Sequence, residues 1–369
     1  MSANFDLSAL ALKAMCPNNE ILYDDNGLPS VMVRIPKMTY KDLGLGNSTD
    51  VFPAFIVNGA EVPEIYISKY QNVVQGSRAY SLPARDPKAS VNIDQAETYC
   101  ANKGAGWHLM TRLEWMVIAL WCKKNNIFPK GNNNYGKDIN EDAYDHAIPA
   151  TYGTGSDAGK IFHVLTGTGP LTWSHDGTVE GIWDLNGNVS EWSRGIRNVY
   201  GELQVFVNNN GADSSKSQAA DSGEWKCISA VDGSFLTPNG EGTTSNALRA
   251  RWKNNNHWEW GIDTEADGTS TYKGCALSDV TISEDVGAAA KLWLQALGLY
   301  KSDETEGASN PGYFSYSSNN QPEHVFLCGG YYSTGAGAGV FYVIGGYATR
   351  TYAITNYGFR AAFVKLPSA

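Results

Sequence analysis

The sequence predicts an α+β domain that is rich in loops and low in regular secondary structure. Short runs of strand character alternate with two helical segments whose starts are marked by capping residues. Glycine (39 residues), tyrosine (20) and tryptophan (11) are abundant, while charged residues make up only 18%. Turns that need positive φ draw on glycine and asparagine, and aromatic rings fix the loops between them.

The elements follow in order. Residues 1–28 read as an N-terminal arm, an amphipathic stretch followed by a polar turn (Asn18, Asn19, Asp24, Asp25, Asn26, Gly27), ahead of a single domain over 29–369. Val31–Pro36 and Glu64–Tyr70 are strands by their β-branched alternation. Asp94 is placed as the cap of a helix through Cys100 that stops near Gly104, with Glu97 at the reciprocal position. Thr111 and Glu114 form a capping box that opens the apolar helix around Trp115–Cys122. From about 125 to 180 the chain reads as loop. Asn186-Gly187 is a tight-turn signal between Trp183 and Trp192. Short strand candidates and one helix, Val286–Leu297, fill 195–310, a stretch read as loop insertions.

Composition narrows the function. With 369 residues and 42% hydrophobic content a full core can form. A formal charge of −10 and no basic stripe argue against nucleic acid as partner. No apolar run approaches the length of a membrane span, so membrane insertion is not expected. The first residues lack a basic segment followed by an apolar one, so no secretion signal is read and synthesis in the cytoplasm is expected. The six cysteines (Cys16, Cys100, Cys122, Cys227, Cys275, Cys328) show neither CxxC nor zinc spacing, and reduced buried thiols are expected.

The segment from Cys328 to Val364 contains no Lys, Glu, Gln, Met or Trp. By average usage such an absence has a chance on the order of one in a thousand. None of the five is encoded by a codon ending in C or T. A template of AAC and AAT codons, randomised at its adenines, supplies everything present and never those five. The pattern points to a binding surface diversified at the gene level. Tyr332, Ser333, Thr334, Gly337, Ile344, Gly346, Tyr347, Thr349, Thr351, Tyr352, Ile354 and Thr355 are expected to be exposed and diversified. Gly329, Gly330, Gly335, Ala336, Ala338, Gly339, Phe341, Gly358, Phe359 and Arg360 are expected to form the fixed scaffold. Tyrosine among Ser, Thr and Gly is also the composition that serves antibody paratopes. Trp252, His257, Trp258 and Trp260 are candidates for the rim of the site.

Three motifs occur in an order that resembles a known family. WHLMTRLEW at 107–115 resembles the RLPTEAEWE element of the formylglycine-generating-enzyme fold, and DLNGNVSEW at 184–192 is similar to its DLxGNVWEW. Gly329-Gly330 and Gly358-Phe359-Arg360 resemble its closing hairpin. The resemblance covers roughly residues 30–365 and implies a C-type-lectin-like fold. Within that family the final segment most resembles the variable proteins of diversity-generating retroelements, whose pattern GG…GAxAGxFY…GFRAA matches Gly335-Ala336, Ala338-Gly339, Phe341-Tyr342 and Gly358–Ala362. Some of those proteins are phage tail receptor binders and others are displayed on bacterial surfaces.

The resemblance implies a non-enzymatic receptor binder, associated with a phage tail, that recognises a protein or glycan on a host surface. Avidity from several copies would suit such a role, so an oligomer, assembly with other virion tail proteins, or both are expected. Two alternatives stand beside it: a formylglycine-generating-type oxidoreductase with a degenerate site, and a fixed structural tail protein of the same fold. The enzymes of this family hold copper with a cysteine pair in the C-terminal region, but no cysteine follows Cys328 here. The six histidines (His108, His146, His163, His175, His257, His324) show no HxxxH spacing. No cofactor is expected to be required. The resemblance also implies a calcium loop built from the side chains of Asn186 and Glu191 with the carbonyls of Gly187 and Val189. The EPN and WND triplets of calcium-dependent sugar capture are absent.

Overall fold

The structure is a computed structural model and describes residues 7–254, 256–263, 272–302, 312–317 and 323–367. Strand Pro29–Pro36 lies between Asn19–Tyr23 and Glu64–Ser68, antiparallel to both. Ala361–Phe363, near the C-terminal end, is inserted between Glu64–Ser68 and Trp107–Leu109, with Ala362 opposite both Ile67 and His108. This five-stranded sheet brings the two ends of the chain together. Asn19–Tyr23 pairs residue by residue with Pro29–Val33, so residue 28 lies in the turn of a hairpin.

Four helices are described: α1 (Leu7–Met15), α2 (Ile93–Ala101), α3 (Arg112–Lys124) and α4 (Ala288–Ala296). The expected capping box of α3 forms: Thr111 Oγ1 accepts from Glu114 N at 3.2 Å, and Glu114 Oε2 accepts from Thr111 N at 2.9 Å. Nearly every residue of α3 is buried, as its apolar sequence requires. The cap of α2 is Asn92 and not Asp94, with Gln95 as the reciprocal partner. Asp94 instead sits in the first turn, where a carboxylate meets the positive end of the helix.

The larger sheet runs in the order Lys273–Ala276, Tyr313–Tyr316, Gly339–Ile344, His324–Gly329, Ser190–Val199, Glu202–Val205, Arg249–Lys253, His257–Gly261 and Thr281–Ile282. Much of 195–310 therefore extends this sheet and is not a set of loop insertions; residues 303–310 lie outside the described residues. The stretch read as loop at 125–180 contains a short hairpin, Pro149–Tyr152 with Ile161–Val164. Trp258 and Trp260 are fully buried against Phe314 and Tyr316, so they are core and not the rim of a site. All six cysteines are buried and unpaired. No described helix is long and apolar enough to cross a membrane.

Candidate ligand-binding face

The C-terminal segment threads both sheets and leaves two loops outside them. Strand His324–Gly329 turns back into Gly339–Ile344, with Leu327 opposite Ile344. Residues 330–338 form the first loop between them, and residues 345–356 form the second. Tyr357–Gly358 then pairs in parallel with Ser190–Glu191 before Ala361–Phe363 enters the smaller sheet. The first loop is closed by Thr334 N to Tyr331 O (2.9 Å), Gly335 N to Asn133 O (2.9 Å) and Tyr135 N to Tyr332 O (2.7 Å). Gly330 and Gly335 have φ of 79° and 72°, a region that L side chains avoid.

Burial divides the expected binding residues into two groups. Tyr347 is 41% exposed, and Thr351 and Thr355 are also exposed. Ser333, Thr334, Gly337, Thr349, Tyr352 and Ile354 are half-buried. A Cβ on Gly337 would meet only the Tyr313 Cβ, at 3.7 Å, so this position has room to vary. Three residues of the expected set are buried, which corrects their assignment. Ile344 is 8% exposed and closes the apolar strand Gly339–Ile344, all of which is buried. A Cβ on Gly346 would fall 2.1 Å from the Tyr316 carbonyl carbon, so only glycine fits there. Tyr332 is 6% exposed: its ring stacks on Phe162 at 4.3 Å, and its hydroxyl donates to Asn356 Oδ1 at 2.8 Å. Tyr332 thus joins the first loop to the second. Of the expected scaffold, Phe341, Phe359 and Arg360 are buried, whereas Ala336 is exposed.

The second loop is held by a residue that composition alone does not single out. Arg350 places Nε and Nη2 on the two Glu323 oxygens at 2.9 and 2.8 Å, Nη1 on Asp94 Oδ1 at 2.7 Å, and Nη2 on the Gln218 carbonyl at 2.8 Å. Burial pushes the Glu323 carboxyl up, but Arg350 and Arg197 outweigh it and hold it below the usual carboxylate range. His163 adds a second tether: Nε2 meets the Thr355 carbonyl at 2.8 Å, and Nδ1 meets Asp86 Oδ1 at 3.0 Å. Asp86 and His163, with Val73, Lys88, Thr151 and Thr355, line a groove of about 390 Å³ beside the loop.

Tyrosines form the outer surface. Tyr347 lies edge-on to Tyr272 (4.8 Å) and to Tyr352 (5.4 Å), with the Tyr347 and Tyr352 hydroxyls 3.1 Å apart. Tyr352 continues inward to the buried Tyr357 at 5.7 Å, and Tyr313 stacks on the buried Tyr342 at 5.7 Å. Burial first, and neighbouring tyrosines second, push the Tyr342 and Tyr357 hydroxyls well above their ordinary range, so both stay neutral. Apart from Arg350, the two loops carry no charged residue. The face therefore offers rings for stacking and hydroxyls for hydrogen bonds.

Beneath the face lies the loop expected to hold calcium. The carbonyls of Gly187 and Val189 and Glu191 Oε1 do converge, joined by the carbonyl of Asp184. They converge on the side-chain amide of Gln71, whose Nε2 lies 3.1 Å from Asp184 O, 3.3 Å from Gly187 O, 3.0 Å from Val189 O and 3.0 Å from Glu191 Oε1. Asn186 takes no part: its Oδ1 accepts from Asn133 at 3.1 Å and its Nδ2 donates to Pro129 O at 2.9 Å. Glu191 is also paired at both oxygens with Arg360, at 3.0 and 2.9 Å. As packed, the four expected residues do not form an ion shell.

The cysteines and histidines lie apart from this face in most cases. Cys328 Sγ lies 3.4 Å from Ser193 Oγ, and burial pushes its thiol up to about 12. His108 is buried against Glu114 at 2.8 Å, and only His163 touches the binding loops through a described hydrogen bond. Among the described residues no three His, Cys, Asp or Glu side chains converge as a metal-holding group.

Among solved structures the chain is similar to variable protein 1 of Treponema denticola, with 13% identity, coverage of 94% of this chain and 98% of that one, and a TM-score of 0.33. It is also similar to PvdO from Pseudomonas aeruginosa, with 12% identity, coverage of 93% and 97%, and a TM-score of 0.28. A search of curated proteins returns no match. The sulfatase-modifying factor enzyme 1-like domain matches residues 47–257, more than half of the chain and including both helix-capping motifs and the DLNGNVSEW loop. The chain belongs to the FGE-sulfatase family, with its C-type-lectin-like α+β fold.

Proposed function

We propose that this chain is a non-enzymatic ligand-binding protein whose contact face is formed by the outward residues of the loops 331–337 and 347–355. One observation carries the reading. A segment lacking Lys, Glu, Gln, Met and Trp is divided between a tightly packed scaffold and two outward loops of Tyr, Ser, Thr, Gly, Ala and Ile with one Arg. The scaffold is fixed at Gly346, Tyr332 and Arg350 by contacts that a changed side chain would break. The outward positions have room to change. Such a division suits diversification by adenine-directed copying of a template repeat. The setting we favour is a phage tail that recognises a protein or glycan on a host surface, with several copies supplying avidity. The cysteines support a binder over an oxidoreductase, since all six are buried and unpaired and the one within the segment, Cys328, has a serine hydroxyl 3.4 Å from its sulfur.

The test is binding of labelled protein to a panel of whole bacterial cells, with a Tyr347→Ala/Thr351→Ala/Tyr352→Ala variant as comparison. Loss of at least roughly tenfold in affinity, about 1.4 kcal/mol or more, is expected without a change of fold. A variant that binds as well as the parent would move the contact face elsewhere.

A further inference from the structure

The four oxygens around Gln71 have the make-up of a cation shell: three carbonyls and one carboxylate oxygen, all inside the protein. Calcium is held by six to eight oxygens at roughly 2.3–2.6 Å. Here the oxygens stand 3.0–3.3 Å from a nitrogen, which are hydrogen-bond distances. The direction of the amide is fixed from its other end, where Asn188 Nδ2 donates to Gln71 Oε1 at 3.0 Å. Exchanging the amide oxygen and nitrogen would aim an acceptor at four acceptors and a donor at Asn188 Nδ2. The charge of Glu191 is met by the two-point contact with Arg360, so none of the four oxygens carries an unbalanced negative charge that would draw a divalent ion, and the Asp184 side chain is not among them.

We propose that the Gln71 amide takes the place of a structural cation in the Asp184–Glu191 loop, so that this protein keeps its fold and its binding face without calcium. The loop lies directly under that face. Asn188 O accepts from Tyr332 N at 3.2 Å, Gly187 N donates to Gly329 O at 3.0 Å, and Ser190 N donates to Asn356 O at 2.8 Å. Both outward loops are therefore referenced to a backbone that Gln71 gathers from its inner side. A metal at this point would make the face depend on the calcium of its surroundings. An amide carried by the chain itself removes that dependence. The inference concerns the scaffold and stands whatever the face binds.

The full-length protein tests it by thermal unfolding in excess EGTA and in millimolar calcium chloride, with terbium luminescence excited through tryptophan as a direct probe of the loop, since Trp183 and Trp192 flank it. The expected result is one Tm in both solutions and no sensitised terbium signal. A Tm raised by calcium, or a terbium signal that calcium displaces, would overturn the proposal. Gln71→Glu sets a second carboxylate beside Glu191. It is expected to lower Tm by several degrees in EGTA, to regain the loss in calcium and to acquire the terbium signal. Parent-like stability of Gln71→Glu in EGTA would count against the amide as the group that fills the shell. Should Gln71→Glu fail to fold, Gln71→Met keeps the length and removes both donors. Its Tm is expected to fall equally with and without calcium, and an unchanged Tm would overturn the proposal.

Discussion

Arg350 grips both carboxylate oxygens of Glu323, at 2.9 and 2.8 Å, and so ties the second binding loop to the start of the strand that precedes the first. Arg350→Ala leaves Glu323 facing Arg197 alone and frees Asp94 at the start of α2. Both side chains of the pair are less than one-fifth exposed, so the loss is expected to be about 2–3 kcal/mol. Arg350→Lys should recover only part of it, because an ammonium cannot reproduce the planar fork. Urea unfolding measures the loss, and hydrogen exchange over residues 345–356 should show where it falls.

Two glycines of the same segment should respond in opposite ways. Gly337→Ser places a Cβ in ordinary contact with Tyr313 and is expected to change stability by less than about 0.5 kcal/mol. Gly346→Ala drives a Cβ into the Tyr316–Ser317 backbone and should cost about 2–4 kcal/mol. Thermal unfolding of the two variants side by side checks both expectations.

Tyr332 acts as a strut between the loops. Tyr332→Phe keeps the stack on Phe162 and loses the hydroxyl bond to Asn356, at a cost of about 1 kcal/mol. Tyr332→Ala removes the ring as well and is expected to cost about 3–5 kcal/mol. Equal stability of the two variants in urea would show that the ring contributes nothing.

Asp184 gives the fold a pH dependence of defined sign. Burial pushes its carboxyl up to about 6, and its Oδ1 is buried without a partner. An acid with a raised folded pKa contributes stability below its unfolded value of about 4, and that contribution is lost as pH rises through about 6. Asp184→Asn should therefore be more stable than the parent at neutral pH by up to about 3 kcal/mol, and equal to it in acid. Glu323 works in the other direction. Its lowered folded pKa gives stability present above the usual carboxylate range and lost as pH falls through the folded value. Unfolding measured across pH on parent and Asp184→Asn separates the two.

The parts of this fold legible in the sequence are the local ones. The capping box of α3 needs only Thr111 and Glu114, three residues apart, and it forms as read. The cap of α2 was ambiguous for a local reason: Asn92 with Gln95 and Asp94 with Glu97 both satisfy the capping pattern, and tertiary packing selects the first. The N-terminal hairpin is not legible in the sequence because its polar turn resembles the end of an arm. In the binding segment, composition identifies the face as a whole but does not say which way each residue points. Strand Gly339–Ile344 is covered on both sides, so alternation gives no signal and Ile344 could not be told from an outward residue. Arg350 and Gln71 were out of reach for the same physical reason. Their partners stand at 94, 218 and 323, and at 184–191, and only the folded chain brings them together.

The most direct measurement is deep sequencing of codons 328–364 with their flanking DNA across the source population. The expected result is substitution at Ser333, Thr334, Gly337, Tyr347, Thr349, Thr351, Tyr352, Ile354 and Thr355. These changes should match adenines in a nearby template copy, with Gly346, Phe341 and Arg360 unchanged. Invariant codons with no template nearby, or changes spread equally over buried and exposed positions, would contradict a diversified binding face.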